Sequence, residues 1–107
     1  MLGSRPHSIS VLEAHERSAQ GSGVLIDVRT PAEFSGARPM GARNIPLDEL
    51  ERSVDDLRSH EEIYVICRSG GRSAAAAMLL AALGFGNVVN VSGGLLAWAA
   101  AGLPTEP

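Results

Sequence analysis

The stretch from Ile63 to Leu83 constrains the fold of this chain more than any other. Ile63-Tyr64-Val65-Ile66 is an unbroken apolar run. Strands lacking a polar alternation are covered on both faces. A short loop containing Gly70 and Gly71 follows, and then Ser73 to Leu83, a mostly Ala and Leu stretch stopped by Gly84. A buried strand feeding directly into a helix is half of a βα unit. Similar short runs recur at Val24-Leu25-Ile26-Asp27-Val28 and Val88-Val89-Asn90-Val91, each followed by a helical pattern. The alternation predicts an α/β fold, with helices packed around a mostly parallel sheet.

The remaining elements are marked by their boundaries. Ser8 to Ser10 is a weak first strand, and Ser10 with Glu13 three residues on predicts a capping box opening a helix to about Gln20. Thr30-Pro31-Ala32-Glu33 repeats that signature, with Pro31 in the first turn; Gly36 and Pro39 keep this helix short. Asn44-Ile45 is a brief extended piece. Leu47, Leu50, Val54 and Leu57 carry a helical spacing of three and four. Gly94 to Ala101 predicts a final helix, ended by Gly102 and Pro104.

With 107 residues, the chain is read as one domain, about residues 1–7 forming a flexible tail. Its 45% apolar and 20% charged content describes a globular core, and a net charge of -3 with interspersed signs argues against a nucleic-acid surface. One cysteine leaves no disulfide framework, and the N-terminus shows no signal-peptide pattern. The longest apolar run, Ala74 to Leu83, is about half of what crosses a bilayer. The expectation is a cytoplasmic protein with no membrane partner.

The chemistry concentrates in Cys67-Arg68-Ser69-Gly70-Gly71-Arg72-Ser73, between the central strand and the Ala-rich helix. Ligands of open α/β sheets bind beyond the carboxyl ends of strands. Two glycines allow successive backbone N–H groups to turn inward as an anion nest, and the helix that follows adds its positive end. Arg68 and Arg72 add full charges. A free cysteine has a pKa of about 8.5, and cysteines near helix N-termini or Arg fall to roughly 3.5–7.5. Cys67 is therefore expected to be a pre-ionised nucleophile. The alternative is a structural cysteine, since free Cys is often buried.

Here the sequence resembles the rhodanese family, nearly end to end. The loop from Cys67 to Ser73 is similar to the family's active-site loop. Leu25-Ile26-Asp27-Val28-Arg29 with Pro31 and Glu33 resembles its Asp-x-Arg segment, and Gly41-Ala42-Arg43-Asn44-Ile45-Pro46 its Gly-Ala-x-Asn-Ile-Pro segment. Gly93-Gly94, Trp98 and Gly102-Leu103-Pro104 resemble its C-terminal signature. Where the family often has a His-Ile pair before Gly-Ala, this chain has Ala37-Arg38-Pro39-Met40, a difference read as bordering the fold rather than the chemistry.

The resemblance implies a five-stranded, mostly parallel sheet with flanking helices and a ping-pong reaction. The Cys67 thiolate would take sulfane sulfur from a small anionic donor such as thiosulfate. It would pass that sulfur to a thiol, cyanide or a protein acceptor, without cofactor or metal. Amides of Arg68, Ser69, Gly70, Gly71, Arg72 and Ser73 would hold the persulfide. Arg68 is placed to attract the donor; Arg72 either does the same or pins the loop. Asp27 and Arg29, just past a strand end, are candidate active-site supports, with capping or pairing of Asp27 within the Thr30 turn as the favoured, structural reading.

Two other function classes are distinguished by the loop. Cysteine-dependent phosphatases and arsenate reductases place one more residue between Cys and Arg than the four, Arg68 to Gly71, found here. The tighter ring suits one sulfur better than a phosphoryl group. A regulatory or redox-sensing interaction module is the other alternative, although binding-only relatives commonly lack the cysteine. His7, His15 and His60 lack metal-ligand spacing and are read as surface residues; Trp98 is read as core. Asp48, Glu49, Glu51, Asp55 and Asp56 are read as a solvated face.

Overall fold

The computed structural model describes residues 7–107. The tail expected over about residues 1–7 lies outside the described residues, apart from His7. Along the chain run β1 (His7–Ile9), α1 (Val11–Ala19), β2 (Val24–Asp27), α2 (Pro31–Phe34), β3 (Arg38–Pro39) and β4 (Arg43–Asn44). A 3-10 segment (Leu47–Ser53) leads into α3 (Val54–Leu57), β5 (Ile63–Ile66), α4 (Gly71–Ala82), β6 (Val88–Val91), α5 (Gly94–Ala100) and β7 (Thr105–Glu106). Five strands form one sheet in the order β1-β6-β5-β2-β4, and every pairing in it is parallel. The apolar run that most constrained the sequence is thus the central strand.

All four residues of β5 are buried, as its unbroken pattern requires. Ile63 and Val65 join Ala76, Ala77 and Leu80 of α4, with Leu50 and Leu57, in the core on one face. Tyr64 and Ile66 join Val11 and Ala14 of α1 and Trp98 of α5 on the other. The small side chains of α4 bury a helix face against the sheet without pushing the backbones apart.

The helix boundaries carry the expected chemistry with some corrections. Thr30 and Glu33 form a complete capping box. At α1 only half of it is present: Ser10 accepts from the Glu13 amide at 3.1 Å, but the Glu13 carboxylate turns to Arg17 at 2.6 Å. α4 begins at Gly71 rather than Ser73, because Gly70 (φ +115°) supplies the cap. Its far end closes as a Schellman motif, with Gly84 N–H donating to Ala81 O at 3.1 Å and Phe85 N–H to Leu80 O at 3.0 Å.

The stretch Leu47 to Leu57, expected as one helix, is mostly a 3-10 segment, and only Val54–Leu57 is α-helical. Its apolar residues explain why. Leu47 and Leu50 are three apart, and a three-residue turn aligns that pair on one line.

One element has no counterpart in the sequence analysis. β3 and β7 form an antiparallel two-stranded sheet, Arg38 opposite Glu106 and Pro39 opposite Thr105. Pro104 beside it accepts two hydrogen bonds at its carbonyl, from Met40 N–H at 3.0 Å and Trp98 Nε1–H at 2.8 Å. Trp98 is fully buried and so belongs to the core, as expected.

Trp98→Phe keeps an apolar ring but removes the indole donor and part of the packed volume. It is expected to cost ~1–3 kcal/mol. Urea denaturation should show a lower midpoint at unchanged slope.

Candidate active site

Period two along β5 decides where the cysteine lies. Cys67 is the next residue on the face of Ile63 and Val65, which places it under the first turn of α4. The residue is 1% exposed, so its sulfur sits at the floor of the loop rather than on its rim. The amide of Gly70 donates to Sγ at 3.1 Å. The thiol donates to the Ser73 hydroxyl at 3.3 Å while that hydroxyl donates to Gly70 O at 3.2 Å, so on ionisation of sulfur its one proton turns from the carbonyl to Sγ. The left-handed backbone of Gly70 makes this turn, and a Cβ there would stand 3.5 Å from the Gly93 nitrogen.

These contacts act against burial. Loss of water pushes the Cys67 thiol up, but the Ser73 hydroxyl and the amides of Ser73, Gly70 and Ser69 outweigh it, and the net effect holds the thiol below its ordinary value. The site therefore favours an anion at sulfur through dipoles rather than through a touching charge.

A second feature, missed in the sequence, fixes the loop from outside. Leu95 N–H donates to Cys67 O at 2.8 Å, and Leu96 N–H to Arg68 O at 3.1 Å. In a trans peptide the N–H points opposite to the C=O. Drawing these two carbonyls toward α5 turns the Arg68 and Ser69 amides away from it. The approach is close enough to require glycine: a Cβ on Gly94 would lie 2.5 Å from Arg68 C and O and from Cys67 O. The signal was the Gly93-Gly94 pair ahead of a helix, which marks close backbone approach but not its target.

The two loop arginines are placed differently. Arg68 is exposed, and its guanidinium has no partner among the described residues. Arg72 is engaged by Glu33, with Nη1 donating to Oε1 at 2.7 Å and Nη2 to Oε2 at 3.0 Å. Of the two roles weighed for Arg72, this geometry is that of a pin. The local sequence marks Glu33 as a cap but carries no sign of this second partner.

Asp27 and Arg29 form a buried pair at the end of β2. Arg29 Nε donates to both carboxylate oxygens at 3.0 Å, Nη2 donates to Oδ2 at 2.8 Å, and the Arg29 amide donates to Oδ1 at 3.0 Å. Arg29 Nη2 also donates to Ala37 O at 2.9 Å, and Asn44 Nδ2 to Asp27 O and Arg29 O, each at 3.0 Å. The pair stiffens the turn that carries Thr30 and Glu33. Among the described residues no group of three or more His, Cys, Asp or Glu side chains is placed to hold a metal ion.

A parallel α/β sheet with a buried cysteine at the strand-to-helix switch and the Gly70 amide aimed at its sulfur defines a class. The chain belongs to the rhodanese family: the rhodanese-like domain matches residues 10–101. It is 40% identical over 113 residues to thiosulfate sulfurtransferase 16, chloroplastic, of Arabidopsis thaliana, across 94% of this chain and 93% of that one. Among solved structures it resembles a rhodanese-related protein from Thermoplasma volcanium, with TM-score 0.83 and 34% identity, covering 94% and 97% of the two chains. It also resembles reduced Bacillus anthracis CoADR-RHD, with TM-score 0.79 and 34% identity, over 88% of this chain but only 16% of that one.

Removing the Ser73 hydroxyl should raise the pH midpoint of Cys67 ionisation. A hydrogen bond to a charged group is worth about 1.5–3 kcal/mol, so Ser73→Ala is expected to shift the midpoint up by about one to two units. Ser73→Thr should restore it. Ultraviolet titration of the thiolate reads both; an unchanged midpoint in Ser73→Ala would remove the hydroxyl from this role.

Proposed function

We propose that this chain is a sulfurtransferase carrying sulfane sulfur on Cys67. The observation that supports it best is the Gly70 amide aimed at Sγ at 3.1 Å, with the Ser73 hydroxyl at 3.3 Å beside it. In the first half-reaction the Cys67 thiolate attacks the outer sulfur of thiosulfate. The S–S bond of the donor breaks, its electron pair leaves with sulfite, and a Cys67 persulfide anion forms. In the second, cyanide or a thiolate attacks the outer sulfur, and the electron pair of the breaking S–S bond returns to Cys67. Both steps are displacements at sulfur, so neither needs a cofactor. Inward amides from Arg68 to Ser73 would stabilise the anion in both.

Arg68, exposed and free of a carboxylate partner, is the residue we assign to drawing in the anionic donor. Arg72 faces the Glu33 carboxylate with both its terminal nitrogens, so its charge is neutralised within the protein, which disfavours the phosphatase reading. The lone unpaired cysteine suits a reducing compartment, and we place the protein in the cytoplasm.

Mass spectrometry after thiosulfate treatment tests the proposal. The expected result is a gain of one sulfur atom on Cys67, removed by cyanide as thiocyanate and absent in Cys67→Ser. Sulfenic acid on Cys67 with no persulfide would instead mark a redox-sensing thiol and overturn the transferase reading. Arg68→Gln is expected to raise KM for thiosulfate about tenfold, the loss of one charge-assisted contact, with kcat little changed. An unmoved KM would exclude Arg68 from donor binding.

A further inference from the structure

Glu33 does more than cap a four-residue helix. Its two oxygens receive the Thr30 amide at 3.0 Å and the Thr30 hydroxyl at 3.1 Å as well as both terminal nitrogens of Arg72. One carboxylate thereby joins the starts of two helices, across 39 positions in sequence. Thr30 follows directly on Arg29, whose pair with Asp27 is buried, so the anchored side is stiff. On the other side Arg72 immediately precedes Ser73 in the first turn of α4, and the turn's cap is Gly70. These are the two residues that face Sγ.

We propose that Glu33 is a positioning residue for the Cys67 loop: by clamping Arg72 in a two-pronged pair it holds the first turn of α4 where the Gly70 amide and Ser73 hydroxyl meet sulfur. The inference rests on Cys67 being the reactive group. A planar fork fixes both the place and the plane of the guanidinium, which a point charge would not. The Glu33 carboxyl is held down to about 2, first by Arg72 and then by the Thr30 amide, so the clamp stays closed throughout neutral and mildly acidic pH.

Simple charge effects predict the opposite of this proposal. The charged groups around Cys67 are Arg68 on the loop, Arg72 on α4, Asp27 at the end of β2, Arg29 just past it, and Glu33 on α2. Neutralising Glu33 removes a negative charge and frees the positive charge of Arg72, which on Coulombic grounds alone would make the thiol easier to ionise. Losing the clamp lets the donors drift and makes it harder.

The sign is read from the pH dependence of Cys67 alkylation by iodoacetamide, a neutral reagent, on the full chain. Glu33→Gln is expected to raise the midpoint by ~0.5–1 unit. Arg72→Lys, which keeps the charge but loses the fork, should move it the same way. The double variant should shift no further than the larger single one, because both remove one interaction. Thr30→Ala loses the cap but keeps the Arg72 pair and should leave the midpoint in place. A midpoint that falls or stays in Glu33→Gln, or that moves equally in Thr30→Ala, overturns the proposal. Should Glu33→Gln not fold, an unmoved Arg72→Lys overturns it equally. Alkylation uses no sulfur donor, so failed persulfide formation with these shifts intact would sink the transferase reading alone.

Discussion

The site depends on the direction of two peptide groups. The carbonyls of Cys67 and Arg68 are taken by the Leu95 and Leu96 amides, and the N–H groups of Arg68 and Ser69 are thereby directed to the other side. Sulfur on an exposed, unoriented loop would meet water; here the Gly70 amide is already aimed at it and needs no rearrangement when charge appears. Glycine at position 94 is a consequence of that requirement rather than of local flexibility, since any side chain there would collide with the carbonyls being held.

Charge is arranged around this frame rather than inside it. Glu33 neutralises one arginine of the loop while the other stands exposed. The buried Asp27–Arg29 pair is saturated by its own hydrogen bonds and by Ala37 O, and so stiffens the neighbouring turn. Buried ion pairs add little net stability but are costly to break. The groups that favour ionisation of Cys67 are the Ser73 hydroxyl and the amides of Ser73, Gly70 and Ser69 rather than these charges.

Much of this was legible in the chain itself. The apolar run of β5, the following glycines and the Ala-rich α4 located the central strand and the reactive loop, because strand burial and helix caps leave strong local signals. The number of strands came from the family resemblance, since β4 is two residues long and carries no period. The β3–β7 pairing was invisible for the same reason, and because Arg38 and Glu106 are 68 positions apart. The clamp on Arg72 was half visible: Glu33 announced itself as a cap, but its second partner depends on the β2–β5 register, which no local pattern encodes. The 3-10 turn at Leu47–Ser53 was misread because a spacing of three fits both helices.

The contacts around Cys67 also impose an order of events on biosynthesis. Residues 93–96, which aim the loop, are the last of its supports to leave the ribosome, whereas the cysteine emerges much earlier. Until α5 has docked, the nascent polypeptide holds a sulfhydryl whose surrounding amides lack their external brace. The direction of the first two loop amides is in this sense a property of the finished tertiary structure, fixed only when α5 docks.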